Sequence, residues 1–328
     1  MRQSTCGEIR TSVLGFGCGS VLGRVGRSAS LRAMNTAWDE GITLFDTARS
    51  YGFGEAEAVL GEFLRGKRQN AIVATKYGIP PREQSTFKRV LLPAARAALH
   101  LPGIRKLVRR GGISETAFGE FSVEGLRASL ETSLKQLRTD YVDSLFLHEA
   151  SVDAIHQQDL MAELDALVQA GKVLRAGLYA NAGVIAEGMT YGPAPLGAMQ
   201  FGANPFDPVV AGFNKSNHRG ALLIGNHPFG SAQRVAQVEA ALAAISTDES
   251  APESLRDKLR GADWQMLLEA IIGVVLSGMG AHALVFSMMR TDHLRANARA
   301  VENCRFTDPE LALMRDRLLN SRTFSPDT

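Results

Sequence analysis

The sequence predicts an α/β fold, a (β/α)8 TIM barrel with long insertions after strands three and seven, on three observations. Eight short aliphatic or β-branched runs alternate with longer segments of helical period. The runs are apolar almost without interruption, as parallel strands covered on both faces are. Eight such units favour a closed barrel over an open doubly wound sheet. Dividing the 328 residues by ~150 suggests about two domains. Barrels of ~250 residues or more are nevertheless single domains, and one domain over 1–328 is expected.

The strand runs are 12–17, 42–47, 71–76, 141–148, 172–179, 197–202, 221–226 and 282–287. Helical segments lie between them. In 122–137, Leu126, Leu130, Leu134 and Leu137 share one face, opposite Glu124, Arg127, Glu131 and Lys135. A similar stripe runs through 31–41 and stops at Gly41, and another through 157–172 ends at Gly171. Thr307 and Glu310 have capping-box spacing, with Thr307 as N-cap. The connection after the sixth run is short and carries the weakest helix signal.

Two insertions stand out. Residues 77–121 follow strand three and include a basic stretch with Arg105, Lys106, Arg109 and Arg110. Residues 232–280 follow strand seven and read as a helix, a polar break and a second helix around 264–276. Insertions at strand C-termini sit on the face where barrels build pockets. The most apolar stretch, Ala270 to Phe286, is broken by glycines, a serine and His282. It suits the end of a buried helix, a turn and a strand better than a membrane span of ~20 residues.

Composition narrows the function classes. Lys+Arg minus Asp+Glu is 36 − 34 = +2, without the basic excess of a nucleic-acid-binding protein. A hydrophobic share of 45% with 21% charged residues excludes a disordered chain. Cys6, Cys18 and Cys304 are too few and too scattered for a disulfide framework or a zinc site. The start, MRQSTCGEIR, lacks an apolar h-region, so a cytoplasmic protein in a reducing compartment is expected.

Strands two, three and four end in residues that a buried strand does not otherwise choose: Asp46, Lys76 and His148. The C-terminal ends of consecutive barrel strands converge on one rim, and Tyr51 follows Asp46 by five residues. A phenol with a pKa of ~10 is a poor acid near neutrality. A neighbouring ammonium is expected to lower that pKa, a carboxylate to hold the ammonium charged, and an imidazole to orient a carbonyl oxygen. The set suits protonation of a carbonyl as hydride arrives. No side chain supplies hydride, so a nicotinamide cofactor is implied. A Rossmann alternative rests on GFGCGS (15–20), which lacks the third glycine of its fingerprint.

With GITLFDTARSYGFGEAEAVLGEFL (41–64), Lys76 in ATKYG, LKQLRTDYVDSLFLH ending at His148, and GKVLRAGLY (171–179), the sequence resembles the aldo-keto reductase family. The resemblance runs over roughly residues 10 to 320. It implies a barrel that reduces an aldehyde or ketone with NADPH, NAD being the alternative nucleotide. Asp46, Tyr51, Lys76 and His148 would be the catalytic tetrad, with Tyr51 as general acid. It places Gln200 at the nicotinamide carboxamide and leaves Asn181 as the amide after strand five. Asn226 stands where the family has an aromatic stacked on nicotinamide. FSMMRTDHLRAN (286–297) takes the place of the phosphate-binding segment, with Ser287, Arg290, His293 and Asn297 as contacts and Thr291 or Asp292 as N-cap. The partner expected is a small carbonyl or alcohol substrate, with Tyr77, Phe206 and Phe229 in the pocket walls. Two further readings stay open: an NAD-preferring alcohol or sugar dehydrogenase, and a nucleotide-binding regulatory barrel with little turnover.

Overall fold

The computed structural model describes residues 1–23, 25–81, 121–191, 196–206, 220–261, 263–279 and 281–320. An antiparallel hairpin of β1 (Gln3–Cys6) and β2 (Ile9–Ser12) comes first. Eight parallel strands follow: β3 (Leu14–Gly17), β4 (Leu44–Asp46), β5 (Ile72–Tyr77), β6 (Val142–His148), β7 (Val173–Tyr179), β8 (Leu196–Gly202), β9 (Leu222–Asn226) and β10 (Ala283–Phe286). They close in the order β10-β3-β4-β5-β6-β7-β8-β9. The barrel expected from the eight runs is therefore present.

Strand alternation sorts the side chains. Leu44, Ala74, Phe146, Ala198, Leu222, Ile224, Ala283 and Val285 fill the interior. The intervening residues point outward into the larger cluster shared with the helices. The helices are α1 (Arg27–Asp39), α2 (Ala56–Phe63), α3 (Val123–Leu137), α4 (Val152–His156), α5 (Gln158–Gln169), α6 (Ala182–Tyr191), α7 (Ala232–Thr247), α8 (Glu253–Leu259), α9 (Trp264–Met279), α10 (Thr291–Glu302) and α11 (Asp308–Asn320). Ser122 caps α3 by accepting from Gly125 N at 3.1 Å. Leu126, Leu130 and Leu137 are buried as the stripe requires. Glu310 reaches back to Thr307 N at 2.8 Å, the second half of a capping box.

The hairpin was not expected. Its strands QSTC and IRTS carry no apolar run, so periodicity passes over them. It closes the N-terminal end of the barrel. Arg175, near the start of β7, donates to Cys6 O at 3.2 Å and Gly220 O at 2.9 Å, and Cys6 Sγ donates to Gly220 O at 3.1 Å.

The insertion after β9 holds three helices rather than two. Within its polar break α8 forms because Leu255 and Leu259, four residues apart, are buried. Helices α7, α8, α9 and α11 bury a second apolar cluster that includes Val238, Leu259, Ile271 and Met314. Helix α10 begins at Thr291 with Arg290 in the cap position and no side-chain cap, so neither Thr291 nor Asp292 is the cap. Arg290 is instead drawn to the carboxylate of Asp292. The basic stretch of the first insertion and the helix expected after strand six lie outside the described residues. Among the described residues no helix is long and apolar enough to cross a membrane.

Candidate active site

Asp46, Lys76 and His148 each lie two residues beyond an interior residue, Leu44, Ala74 and Phe146 respectively. Strand alternation therefore turns all three into the C-terminal mouth of the barrel. All three are buried, at 3%, 1% and 5% exposure. Lys76 Nζ donates to Asp46 Oδ1 at 2.5 Å and to Thr47 O at 3.0 Å. Tyr51 opens the 3-10 turn Tyr51–Gly54, and Lys76 Nζ lies 5.1 Å from its ring centroid. The Tyr51 and His148 rings meet edge to face, with centroids 6.0 Å apart and planes at 87°. The four residues expected to act together are brought together.

Their electrostatics differ from expectation at one point. Burial pushes the Tyr51 phenol above its usual range, and the Asp46 carboxylate pushes it further in the same direction. The Lys76 ammonium, 5.1 Å from the ring centroid and paired with Asp46 at 2.5 Å, does not offset this rise. Tyr51 is thus held protonated. His148 is lowered to about 3, first by burial and then by Lys76, so its imidazole is neutral. His148 Nδ1 is buried without a hydrogen-bond partner among the described residues.

Behind this rim lies a network that sequence reasoning missed. Glu57, buried on α2, accepts from Thr75 Oγ1 at 2.6 Å and from Arg49 at 2.7 Å. Arg49 also donates to Gln136 Oε1 at 3.0 Å. Arg49 sits between Asp46 and Tyr51, so the pair ties the loop carrying both to the barrel wall. A carboxylate on the buried face of an apolar helix was the available signal.

The mouth continues on β7, β8 and β9. Gln200 and Asn226 are buried, and neither Gln200 Oε1 nor Asn226 Oδ1 has a partner among the described residues. Two orphaned acceptors on one rim fit a ligand that brings N–H donors, which the carboxamide of a nicotinamide does. Tyr179, not named as a site residue beforehand, stands beside them. Its ring centroid is 5.1 Å from that of His148, and Lys76 Nζ is 5.7 Å from it. Burial pushes its phenol up to about 12, against a hydrogen bond from Asn226. Its inward position two residues after Gly177 was the signal that could have found it.

A cavity of about 370 Å³ leads from Asp46 and Tyr51 past Asn226 and Phe229 to Trp264, His293 and Asn297. A second, of about 390 Å³, is lined by Val21, Phe53, Ile79, Pro80 and His148. Tyr51 and Gly19 belong to both, so the tyrosine stands where they meet.

The other expected contacts are placed differently. Asn181 is exposed, and its Oδ1 accepts from Gly183 N at 3.0 Å and Val184 N at 3.2 Å at the start of α6. Ser287 lines the first cavity, and its hydroxyl pairs with Ser20 Oγ at 2.6 Å. Arg290 forks onto Asp292, at 3.1 and 2.5 Å, and holds that carboxyl down at about 2. The Tyr77 hydroxyl exchanges hydrogen bonds with the Ser122 backbone at 3.1 and 3.2 Å. Phe206 packs under the Arg234 guanidinium, 5.4 Å from the ring centroid.

The model of the aldo/keto reductase family matches residues 13–231. An aldo-keto reductase of Bacillus subtilis is 29% identical over 230 residues, covering 66% of this chain and 59% of that protein. An aryl-alcohol dehydrogenase of Pestalotiopsis microspora is 28% identical over 188 residues, covering 56% and 40%. The chain thus spans about half the length of these curated relatives. The holo form of an aldo-keto reductase from Bacillus halodurans superposes with a TM-score of 0.66 at 21% identity, over 96% of this chain and 95% of that one. A thermostable aldo-keto reductase solved with the inhibitor epalrestat gives 0.65 at 20% identity, over 97% and 100%. At such identities these structures speak for the fold. With the family model covering more than half of the sequence, the chain belongs to the aldo/keto reductase family.

Proposed function

We propose that the chain reduces the carbonyl group of an aldehyde or ketone to an alcohol by hydride transfer, with Tyr51 as general acid and NADPH or NADH as reductant. The observation that carries the reading is the convergence of Asp46, Lys76, Tyr51 and His148 at the meeting point of two cavities. When bound, a nicotinamide cofactor supplies the hydride. Gln200 Oε1 and Asn226 Oδ1 would accept from its carboxamide, while His293 and Asn297 line the far end of the first cavity. Neutral His148 donates a hydrogen bond to the carbonyl oxygen from one ring nitrogen. Tyr51 passes its hydroxyl proton to the same oxygen as negative charge develops there. The phenolate formed is stabilised by the Lys76 ammonium, which Asp46 holds in place, and is reprotonated from solvent.

A second reading keeps the chemistry but runs toward alcohol or sugar oxidation with NAD. Arg290, the basic side chain offered to a 2′-phosphate, is engaged by Asp292. The described residues lining the first cavity include no lysine or arginine.

Fluorescence titration with NADPH and NADH, followed by their oxidation with a panel of activated aldehydes and ketones, tests both readings. Nucleotide binding without turnover across the panel refutes the reductase and leaves a regulatory barrel. Tyr51→Phe is expected to slow reduction by ~10²–10⁴-fold at unchanged nucleotide affinity. An equal loss of nucleotide binding would overturn its role as acid.

A further inference from the structure

Three consecutive residues after the catalytic tyrosine adopt positive φ: Gly52 at 56°, Phe53 at 59° and Gly54 at 85°. The two glycines do so freely, whereas an aromatic residue there is strained. Gly52 is also pressed against Val21 O, which a Cβ would meet at 2.9 Å, and Gly54 against Pro81, at 2.9 Å. The turn is therefore clamped on both sides and Phe53 is held in its strained form. Packing does not account for the choice of residue. Phe53 is 42% exposed and joins none of the hydrophobic clusters. It does line the second cavity, together with Val21, Ile79, Pro80, Tyr51 and His148. Backbone strain of this kind clusters at active sites and ligand clamps.

We propose that Phe53 determines substrate specificity: its ring is the outer wall of the second cavity and selects carbonyl compounds whose substituent is flat and apolar, such as an aryl group. The inference rests on the reductase reading and names its substrate class. The described lining of this cavity carries no charged side chain, so a carboxylate or phosphate on the substrate would find no counter-ion among these residues. An aryl ring stacked on Phe53 is removed from water, while its carbonyl points inward to Tyr51 and His148. A short aliphatic aldehyde reaches the same two residues without touching Phe53.

The test compares 2-naphthaldehyde with propanal, using the full chain with NADPH and the variants Phe53→Gly and Phe53→Leu. Phe53→Gly is expected to lower kcat/KM for 2-naphthaldehyde about tenfold or more, through KM, with propanal within about twofold. Phe53→Leu falls between. NADPH affinity is unchanged. The melting temperature of Phe53→Gly is no lower than that of the parent, because the strain leaves with the ring. Equal effects on both aldehydes, or a melting temperature lowered by several degrees, overturn the proposal.

Binding of 2-naphthalenemethanol, read by its own fluorescence, separates this inference from the reaction. If the parent reduces neither aldehyde, the reductase reading fails. A naphthyl ligand bound by the parent and lost in Phe53→Gly still upholds the aryl site, and equal or absent binding in both refutes it.

Discussion

Replacing Asp46 and Lys76 singly and together separates what their ion pair does for the fold from what it does for chemistry. The side chains are 5% and 0% exposed, with 2.5 Å between Nζ and Oδ1. Unit charges ~3 Å apart attract by about 5 kcal/mol at an effective dielectric of ~20. Asp46→Asn leaves the ammonium in a buried site with the Thr47 carbonyl as its remaining acceptor. Lys76→Met leaves the carboxylate without its cation. Each single variant is expected to lose ~3–5 kcal/mol, the usual cost of stranding a buried charge. The double variant strands none and is expected to be more stable than either single, with a coupling of ~3 kcal/mol. Urea unfolding followed by the fluorescence of Trp38, which packs on Phe45 and Phe63, measures all four corners. Carbonyl reduction is expected to fall ~10²-fold or more in all three variants, so stability returns in the double variant and turnover does not. Destabilisation of the double variant by the sum of the singles would refute the reasoning, since it would mean that the two charges do not see each other.

Two further perturbations follow from the same geometry. His148 is held near 3 in the folded chain, below the ~6.5 of a free imidazole, so between these values the unfolded chain binds a proton that the folded chain does not. Its contribution to stability is full above pH ~6.5 and is lost as pH falls toward 3. His148→Gln should flatten the melting temperature against pH between about 6.5 and 4, and an unaltered slope would count against a buried neutral imidazole. Glu57→Ala strands Arg49 and unties the loop from Asp46 to Tyr51. A loss of ~3–5 kcal/mol in urea should accompany slower turnover at unchanged nucleotide affinity, and an unchanged kcat would show that the loop holds itself.

Much of the fold was legible because strand order and side-chain parity are local. The observed barrel strands begin and end within two residues of the apolar runs. A period of two was enough to turn Asp46, Lys76 and His148 to the same face as Leu44, Ala74 and Phe146. The hairpin was hidden because its pairing, not its own composition, makes it a closure. Tyr179 was hidden because β7 carries Arg175, Gly177 and Tyr179 inward, a series with no apolar alternation to mark it.

The cofactor contacts were the least legible. A residue type in a motif says what a side chain can bind and not what it already binds: Asn181 faces the backbone of α6 and Arg290 faces Asp292. Alone, the sequence determined the eight-strand order, the inward set at three consecutive strand ends and the chemistry those residue types support. Only the tertiary structure decided that Lys76 is paired with Asp46, that burial and Asp46 raise the Tyr51 phenol rather than Lys76 lowering it, and that Phe53 has a positive φ beside a cavity. The division has a physical cause. Periodicity is set by dihedral angles repeated along one strand, whereas burial, charge pairing and clamped turns depend on distances between strands that exist only once the barrel closes.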